Sequence, residues 1–322
     1  MKIVSTIVQA ILAIGLLALV AAGCARTTTQ APSGQVSVAP VPKDIARPDM
    51  LVDTVWLSSR LNDSKVRIID VRAADKYQES HVSNSFSLPS ALFTSKAGRM
   101  TNELPAPEQF AEVMGSMGVK ADTQIVIYDE GNGLTASRLY WTLDYFGHPK
   151  ISLLNGGFGA WTAESREVTK VAPSSAKTKW TPKPDPSKLA TKELVLAVTK
   201  NKAASVLDSR SAKEYTGEDK RADRGGRIVG AVNVDWATTV ATVSGVSSFR
   251  SGAEIRGLFE QAGLKPDQEI ITYCQSGVRA AHAYFTLKLN GYKKVRNYDG
   301  SWEEWGNDPQ LPMETGPAKS GM

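Results

Sequence analysis

The chain has 322 residues, 42% hydrophobic and 22% charged, enough to bury cores of ordinary size and too apolar for a disordered or fibrous chain. Its 38 Lys and Arg stand against 33 Asp and Glu, and the bases are scattered rather than gathered in a run. The net charge of +5 therefore marks no nucleic-acid or membrane-surface patch.

The first 24 residues are a different material. Lys2 gives a minimal positive start and residues 10–23 are almost purely apolar, while Ser5, Thr6 and Gln9 interrupt the run before it reaches the about 20 apolar residues of a spanning helix. This is the pattern of a secretory signal. The ending Ala21-Ala22-Gly23-Cys24 resembles the bacterial lipoprotein signal, in which the cysteine becomes the acylated first residue, although Ala21 stands where Leu is more usual. The expectation is a signal peptide over 1–23 and lipidation at Cys24, which would anchor the protein to a membrane without spanning it. An ordinary cleaved signal and an uncleaved anchor are the alternatives. Ala25 lacks the Asp of an inner-membrane retention signal, so an outer membrane facing the periplasm is the expected site. With Cys24 used, Cys274 is the one thiol left, and no internal disulfide is possible.

Residues 24–48, rich in Thr, Pro, Ser and Gly without periodicity, are predicted to be a flexible tether. A second such stretch, 169–188, divides the remainder into halves over 49–168 and 189–312, with a tail over 313–322. The halves repeat one plan. Each opens on a short apolar strand ending in Asp, with Arg two residues on: Asp70 and Arg72, then Asp208 and Arg210. Each continues through a charged segment with a Tyr (Tyr77, Tyr215), then a buried strand (Gln124–Tyr128, Glu269–Tyr273), a helix, and a turn containing Gly and Trp. Short apolar strands alternating with helices predict two α/β domains, each a small, mainly parallel sheet with helices on both faces.

Aligning the two buried strands puts Asp129 where the second half has Cys274. After Cys274 the chain reads Gln275, Ser276, Gly277, Val278, Arg279, then a helix. A loop between the carboxyl end of a parallel strand and a helix N-terminus binds ligands in α/β proteins. It aims backbone N–H groups inward as an anion nest, to which the helix end adds partial positive charge. A cysteine there is expected to be held as a thiolate and to act as a nucleophile. Arg279 supplies a fixed charge for an anionic substrate. The residues point to a thiolate attacking an anion.

These motifs together resemble the tandem rhodanese sulfurtransferases: Cys274 to Arg279 after an apolar strand, the Asp and Arg opening each half, Arg224-Gly225-Gly226-Arg227-Ile228-Val229-Gly230-Ala231, and Tyr298-Asp299-Gly300-Ser301-Trp302. The likeness runs over about residues 50–312. It implies two rhodanese-like domains, the first an inactive copy and the second passing sulfur from a small anionic donor to a thiophilic acceptor through a persulfide on Cys274, without cofactor. In the thiosulfate-using members the loop after the cysteine is basic, where this chain has Gln275 and Ser276. In the mercaptopyruvate-using members a Ser two after the cysteine is proposed to work with an Asp and a His of the dead domain, which match Ser276, Asp70 and His81. The donor stays open between thiosulfate and 3-mercaptopyruvate. Both Asp70 and His81 also read as scaffold residues.

Arg224 and Arg227, flanking a Gly-Gly turn, are further candidates for gripping a carboxylate or sulfonate, though Arg227 replaces the family's usual His. Arg210, repeated as Arg72, is a weaker candidate and reads as a brace. Three His and one remaining Cys make a metal site unexpected. Three rivals remain. Phosphate ester hydrolysis is disfavoured because four residues, not five, separate Cys274 from Arg279. A persulfide carrier acting on a partner protein would use the same loop. An interaction module with a vestigial loop would keep Cys274 buried and unreactive. Oligomeric state is not written in these residues.

Overall fold

Ten strands in two sheets carry the fold. The computed structural model describes residues 37–317; the expected signal peptide, Cys24 and the start of the tether lie outside the described residues, as do 318–322. The first sheet comprises β1 (Leu51–Val52), β2 (Val66–Asp70), β3 (Ser85–Ser87), β4 (Gln124–Tyr128) and β5 (Ile151–Leu154). The second comprises β6 (Leu189–Ala190), β7 (Ser205–Asp208), β8 (Val232–Asn233), β9 (Glu269–Tyr273) and β10 (Lys294–Tyr298). Their spatial orders, β1-β5-β4-β2-β3 and β6-β10-β9-β7-β8, are the same order twice, and every pairing is parallel. The chain is α/β, two domains of one plan with helices flanking each sheet. β4 and β9 take the buried positions because both faces of an inner parallel strand are covered, which selects runs such as Ile125-Val126-Ile127 and Ile270-Ile271.

The helices that matter below are α1 (Leu134–Tyr145), α2 (Ala212–Thr216), α3 (Gly252–Gln261), α4 (Val278–Leu289) and α5 (Ser301–Trp305). α1 and α4 follow the corresponding strands β4 and β9 and pack on each other. The Tyr140 and Phe285 rings stand edge to face at 4.9 Å, and the Tyr284 hydroxyl donates to Asp144 Oδ2 at 2.7 Å. One hydrophobic cluster runs through both halves, from Ile69 and Ile127 to Ile270 and Phe285. The two domains therefore share a core and do not behave as beads on a linker.

The stretches read as loose are packed where described. Residues 37–48 form a strap: Asn155 Nδ2 donates to the Ala39 and Pro40 carbonyls, the Asp44 carboxylate accepts the Gly252 and Ala253 N–H groups opening α3, and the Ala46 and Arg47 N–H groups cap α4 at the Leu289 carbonyl. Composition suggested freedom, but Ala39 and Ile45 supply enough apolar surface to dock it. The stretch 169–188 is likewise held, by Trp180 edge-on to Phe110 and by Thr178, whose hydroxyl donates to the Val119 carbonyl at 2.5 Å. In the tail, Met313–Glu314 pairs antiparallel with Arg227–Ile228.

Candidate active site

Cys274 stands directly after β9 at the carboxyl edge of the second sheet, 1% exposed. Its loop turns through Gly277 at φ +78°, and α4 begins at Val278. A side chain at 277 is forbidden twice: by the left-handed backbone, and because a Cβ there would lie 2.3 Å from Asp299 Oδ1. The Ser301 hydroxyl closes the loop from the other side. It accepts the N–H groups of both Cys274 and Gly277 at 3.1 Å and donates to the Tyr298 carbonyl at 2.8 Å. Ser301 adopts φ +49°, a conformation costly for any residue with a Cβ. Its counterpart in the first domain is Gly157, at φ +52°. The second domain thus accepts backbone strain in exchange for a hydroxyl under the loop.

The sister loop shows what such a turn holds. In the first domain the Asp129 carboxylate lies inside its own loop and accepts the N–H groups of Gly131, Gly133, Thr135 and Ala136 at 2.9–3.2 Å. Burial pushes this carboxyl up while the four donors pull it down. The live loop is one residue shorter, and among the described residues no acceptor reaches the N–H groups of Gln275, Ser276, Val278 or Arg279. The first domain's nest is filled by its own side chain. The second domain's is open.

Several expected site residues have other work. Arg279 does not extend toward a substrate: its two terminal nitrogens donate to Glu214 of α2 at 2.6 and 2.8 Å. Burial alone would raise Glu214, but the Arg279 guanidinium outweighs it and holds the carboxyl at about 2. Against its burial, the Arg279 guanidinium is in turn raised by the Glu214 carboxylate, so the two form a neutral pair beside the loop. Arg224 is not a substrate grip, because its guanidinium donates to the carbonyls of Trp305, Gly306, Asp308 and Leu311. Arg227 lies over the Tyr215 ring and pins the chain end through the Gly316 carbonyl at 2.7 Å. Arg210 braces: it pairs with Asp208 and the Gly226 carbonyl, as Arg72 pairs with Asp70 and the Ser80 carbonyl.

Asp70 and His81 do not join Ser276. Asp70 is fully buried and committed to Arg72. His81 stacks on Tyr77 at 3.7 Å, with its ring nitrogens against the Tyr77 and Val171 carbonyls. Family spacing identified these positions, but their partners lie in the first domain and, for Val171, in the stretch 169–188.

What the first domain does bring is a hairpin, strands Ser95–Ala97 and Met100–Glu103. Asn102 Nδ2 donates to Ser276 Oγ at 3.1 Å, and the Thr101 N–H and hydroxyl reach the Glu303 carboxylate at 2.9–3.0 Å. Beneath it Arg138 of α1 pairs with Asp299 and donates to the Asn102 carbonyl, while Asp299 Oδ2 accepts the Leu104 N–H at 3.0 Å. The second domain returns the gesture with the hairpin 240–249, whose Phe249 ring lies against Gly133 of the dead loop. His282 of α4, stacked on Phe249, reaches the Asn132 carbonyl at 3.2 Å. The cover of the dead loop is aromatic and that of the live loop polar. Sequence reasoning missed Asn102, Arg138, Glu214, Asp299 and Ser301. Two signals were available: an Arg inside an apolar helix at 138, and the Ser211-to-Glu214 spacing of a capping box, which the structure forms.

Comparison with known proteins decides the family. The Rhodanese-like domain family matches residues 53–164 and again 191–308. The chain belongs to the rhodanese family. Curated relatives include the thiosulfate sulfurtransferase of Corynebacterium glutamicum, 34% identical over 86% of this chain and 94% of its own length. The sulfur carrier protein TtuD of Thermus thermophilus is 34% identical over 84% of this chain and 98% of its own. Among solved structures, the 3-mercaptopyruvate sulfurtransferase SseA of Escherichia coli superposes with a TM-score of 0.70 at 29% identity, covering 78% of this chain and 98% of that one. This rhodanese is a sulfurtransferase of the two-domain type.

Proposed function

We propose that Cys274 is the nucleophile and that thiosulfate is the preferred donor. The observation that carries this reading is the pair of loops: one nest filled by the Asp129 carboxylate, the other open with a cysteine at its head. The Cys274 thiolate attacks the outer sulfur of thiosulfate, the S–S bond breaks, and sulfite leaves with the electron pair. The persulfide's terminal sulfur and its charge rest against the open N–H groups, as the carboxylate does in the sister loop. Attack on that sulfur by a thiophilic acceptor, such as cyanide or a thiol, returns the thiolate. No cofactor takes part.

Two observations support thiosulfate over 3-mercaptopyruvate. Relatives carry the thiosulfate sulfurtransferase name, and Asp70 and His81 are bound elsewhere instead of meeting Ser276. Arg224, Arg227 and Arg210 are occupied, and the half-exposed Arg221 near the mouth is paired with Asp219 at 2.7 Å. Its carbonyl accepts Gln275 Nε2 at 2.9 Å, and its guanidinium lies 3.7 Å from Glu214. The test is thiocyanate formation from cyanide by residues 37–317, with the two donors side by side. Thiosulfate is expected to be the better, and Cys274→Ala to abolish turnover. Activity surviving that substitution overturns the assignment.

A second reading, a persulfide carrier serving a partner protein, is favoured by the likeness to TtuD. It is distinguished by a stable Cys274 persulfide in mass spectrometry with little thiocyanate turnover. We also propose that the protein is exported and anchored through acylated Cys24, on the strength of the apolar run before Ala21-Ala22-Gly23-Cys24. Labelling with palmitate in a bacterial host, lost in Cys24→Ser, tests this.

A further inference from the structure

Among the described residues one first-domain side chain hydrogen-bonds to the loop after Cys274. Asn102 Nδ2 donates to Ser276 Oγ at 3.1 Å and to its neighbour Thr101 Oγ1 at 3.1 Å. The residue does not hang free, since its carbonyl is gripped by Arg138, whose partner Asp299 holds the N–H two residues on, of Leu104. Arg138 and Asp299 are both buried, and Asp299 packs on Gly277 of the loop itself. Asn102 is thereby tied to the same buried pair that bounds the loop.

A serine hydroxyl has two acceptor lone pairs and one proton. When Asn102 donates to Ser276 Oγ it fills a lone pair, and the Ser276 proton is left to donate elsewhere. Ser276 is in the loop whose N–H groups stand open, so that proton adds one more donor for an anion bound there. We propose that Asn102 is a positioning residue: from the domain that lacks a cysteine, it orients the Ser276 hydroxyl as a hydrogen-bond donor to the bound sulfur anion. The proposal rests on the reading of Cys274 as the nucleophile. It gives the inactive domain a share in the site, a share that Asp70 and His81 do not take.

The test is a double-mutant cycle on the intact two-domain protein, using Asn102→Ala, Ser276→Ala and both together, with thiocyanate formation as readout and Cys274→Ala as control. Asn102 is part exposed and outside both cores, so its removal is expected to leave the thermal midpoint in place. Asn102→Ala is expected to lower kcat/KM for the anionic donor roughly tenfold, the size of one hydrogen bond to a charged group. In the Ser276→Ala background the same change is expected to do nothing further. Asn102→Ser, which keeps a short donor, should recover part of the loss. Independent effects that multiply in the double variant, or no loss in Asn102→Ala, overturn the positioning role while Cys274→Ala still abolishes turnover. If Cys274→Ala keeps its activity, the nucleophile assignment fails and the positioning role falls with it.

Discussion

Ser301 shows how a single side chain turns a shared turn into a site. The two halves have the same loop after the last strand, Asn155-Gly156-Gly157 in one and Asp299-Gly300-Ser301 in the other, and both third residues have positive φ. A glycine costs nothing there, whereas a serine is strained. The strain is offset by two N–H groups, of Cys274 and Gly277, that would otherwise be buried without an acceptor. Ser301→Ala keeps the strain and loses both bonds. It is expected to cost about 1–3 kcal/mol of stability, read by urea unfolding, and to lower turnover by more than tenfold. Ser301→Gly removes the strain as well, so it is expected to be the more stable of the two and equally slow. At this scale the sequence marked Cys274 and its loop as candidates and read Arg210 as a brace, but aimed Arg224, Arg227 and Arg279 at a substrate where the structure gives them protein partners. An Arg beside glycines reads alike whether it grips a ligand or four backbone carbonyls, and only the fold reveals that Arg224 does the latter.

Among elements, the strap over residues 37–48 departs furthest from expectation. Its Pro, Ser and Val content carries no periodicity, and such stretches are ordinarily solvated chain. Docking comes from contacts no local pattern encodes, because the partners Asn155, Gly252 and Leu289 lie more than a hundred residues away. Asp44 adds an acceptor at the N-terminus of α3, where Ser251 and Glu254 already form a capping box. Gly252 and Ala253 hold this carboxyl below the usual range. Asp44→Ala is expected to cost about 1 kcal/mol and to raise hydrogen exchange in the first turn of α3, with sulfur transfer unchanged. The strands and main helices, by contrast, were legible in outline. Runs such as Ile125-Val126-Ile127 bounded by polar turns admit few other readings, and the repeat supplied each element twice.

Across the whole molecule the two joints between domains answer each other. His282 reaches from α4 to the dead loop, and its structural counterpart Arg138 reaches from α1 to the live one. Burial holds the His282 imidazole down to about 4, so it stays neutral in the folded protein. Its unfolded value is near 6.5. Between those values the unfolded chain binds the extra proton, and stability falls as pH falls, by about 3 kcal/mol in all. Glu103, at the other joint, is raised by burial and by Asp299 to about 7, so its contribution runs the opposite way and stability falls as pH rises from the ordinary carboxylate range to 7. The two slopes offset each other in the natural chain. His282→Phe is expected to leave a protein that gains stability on acidification from pH 7 to 5, and Glu103→Gln one that loses it. Denaturant unfolding across that range checks both, and parallel profiles in all three proteins would contradict the assignment. None of this was readable in advance, because the aligned repeats show which positions correspond but not which of them meet across the shared core.

The Asp129 carboxylate has a further consequence. A ligand built into the chain has an effective concentration that no solute reaches, so the first domain's nest is saturated at every moment. Under the proposed chemistry the loop at Cys274 passes between thiolate, persulfide and donor-bound forms, and its backbone donors are filled and vacated in each turnover. The dead loop has no such cycle. It is a permanently liganded body, and the Phe249 ring of the second domain packs against a loop whose shape is the same whichever form Cys274 is in.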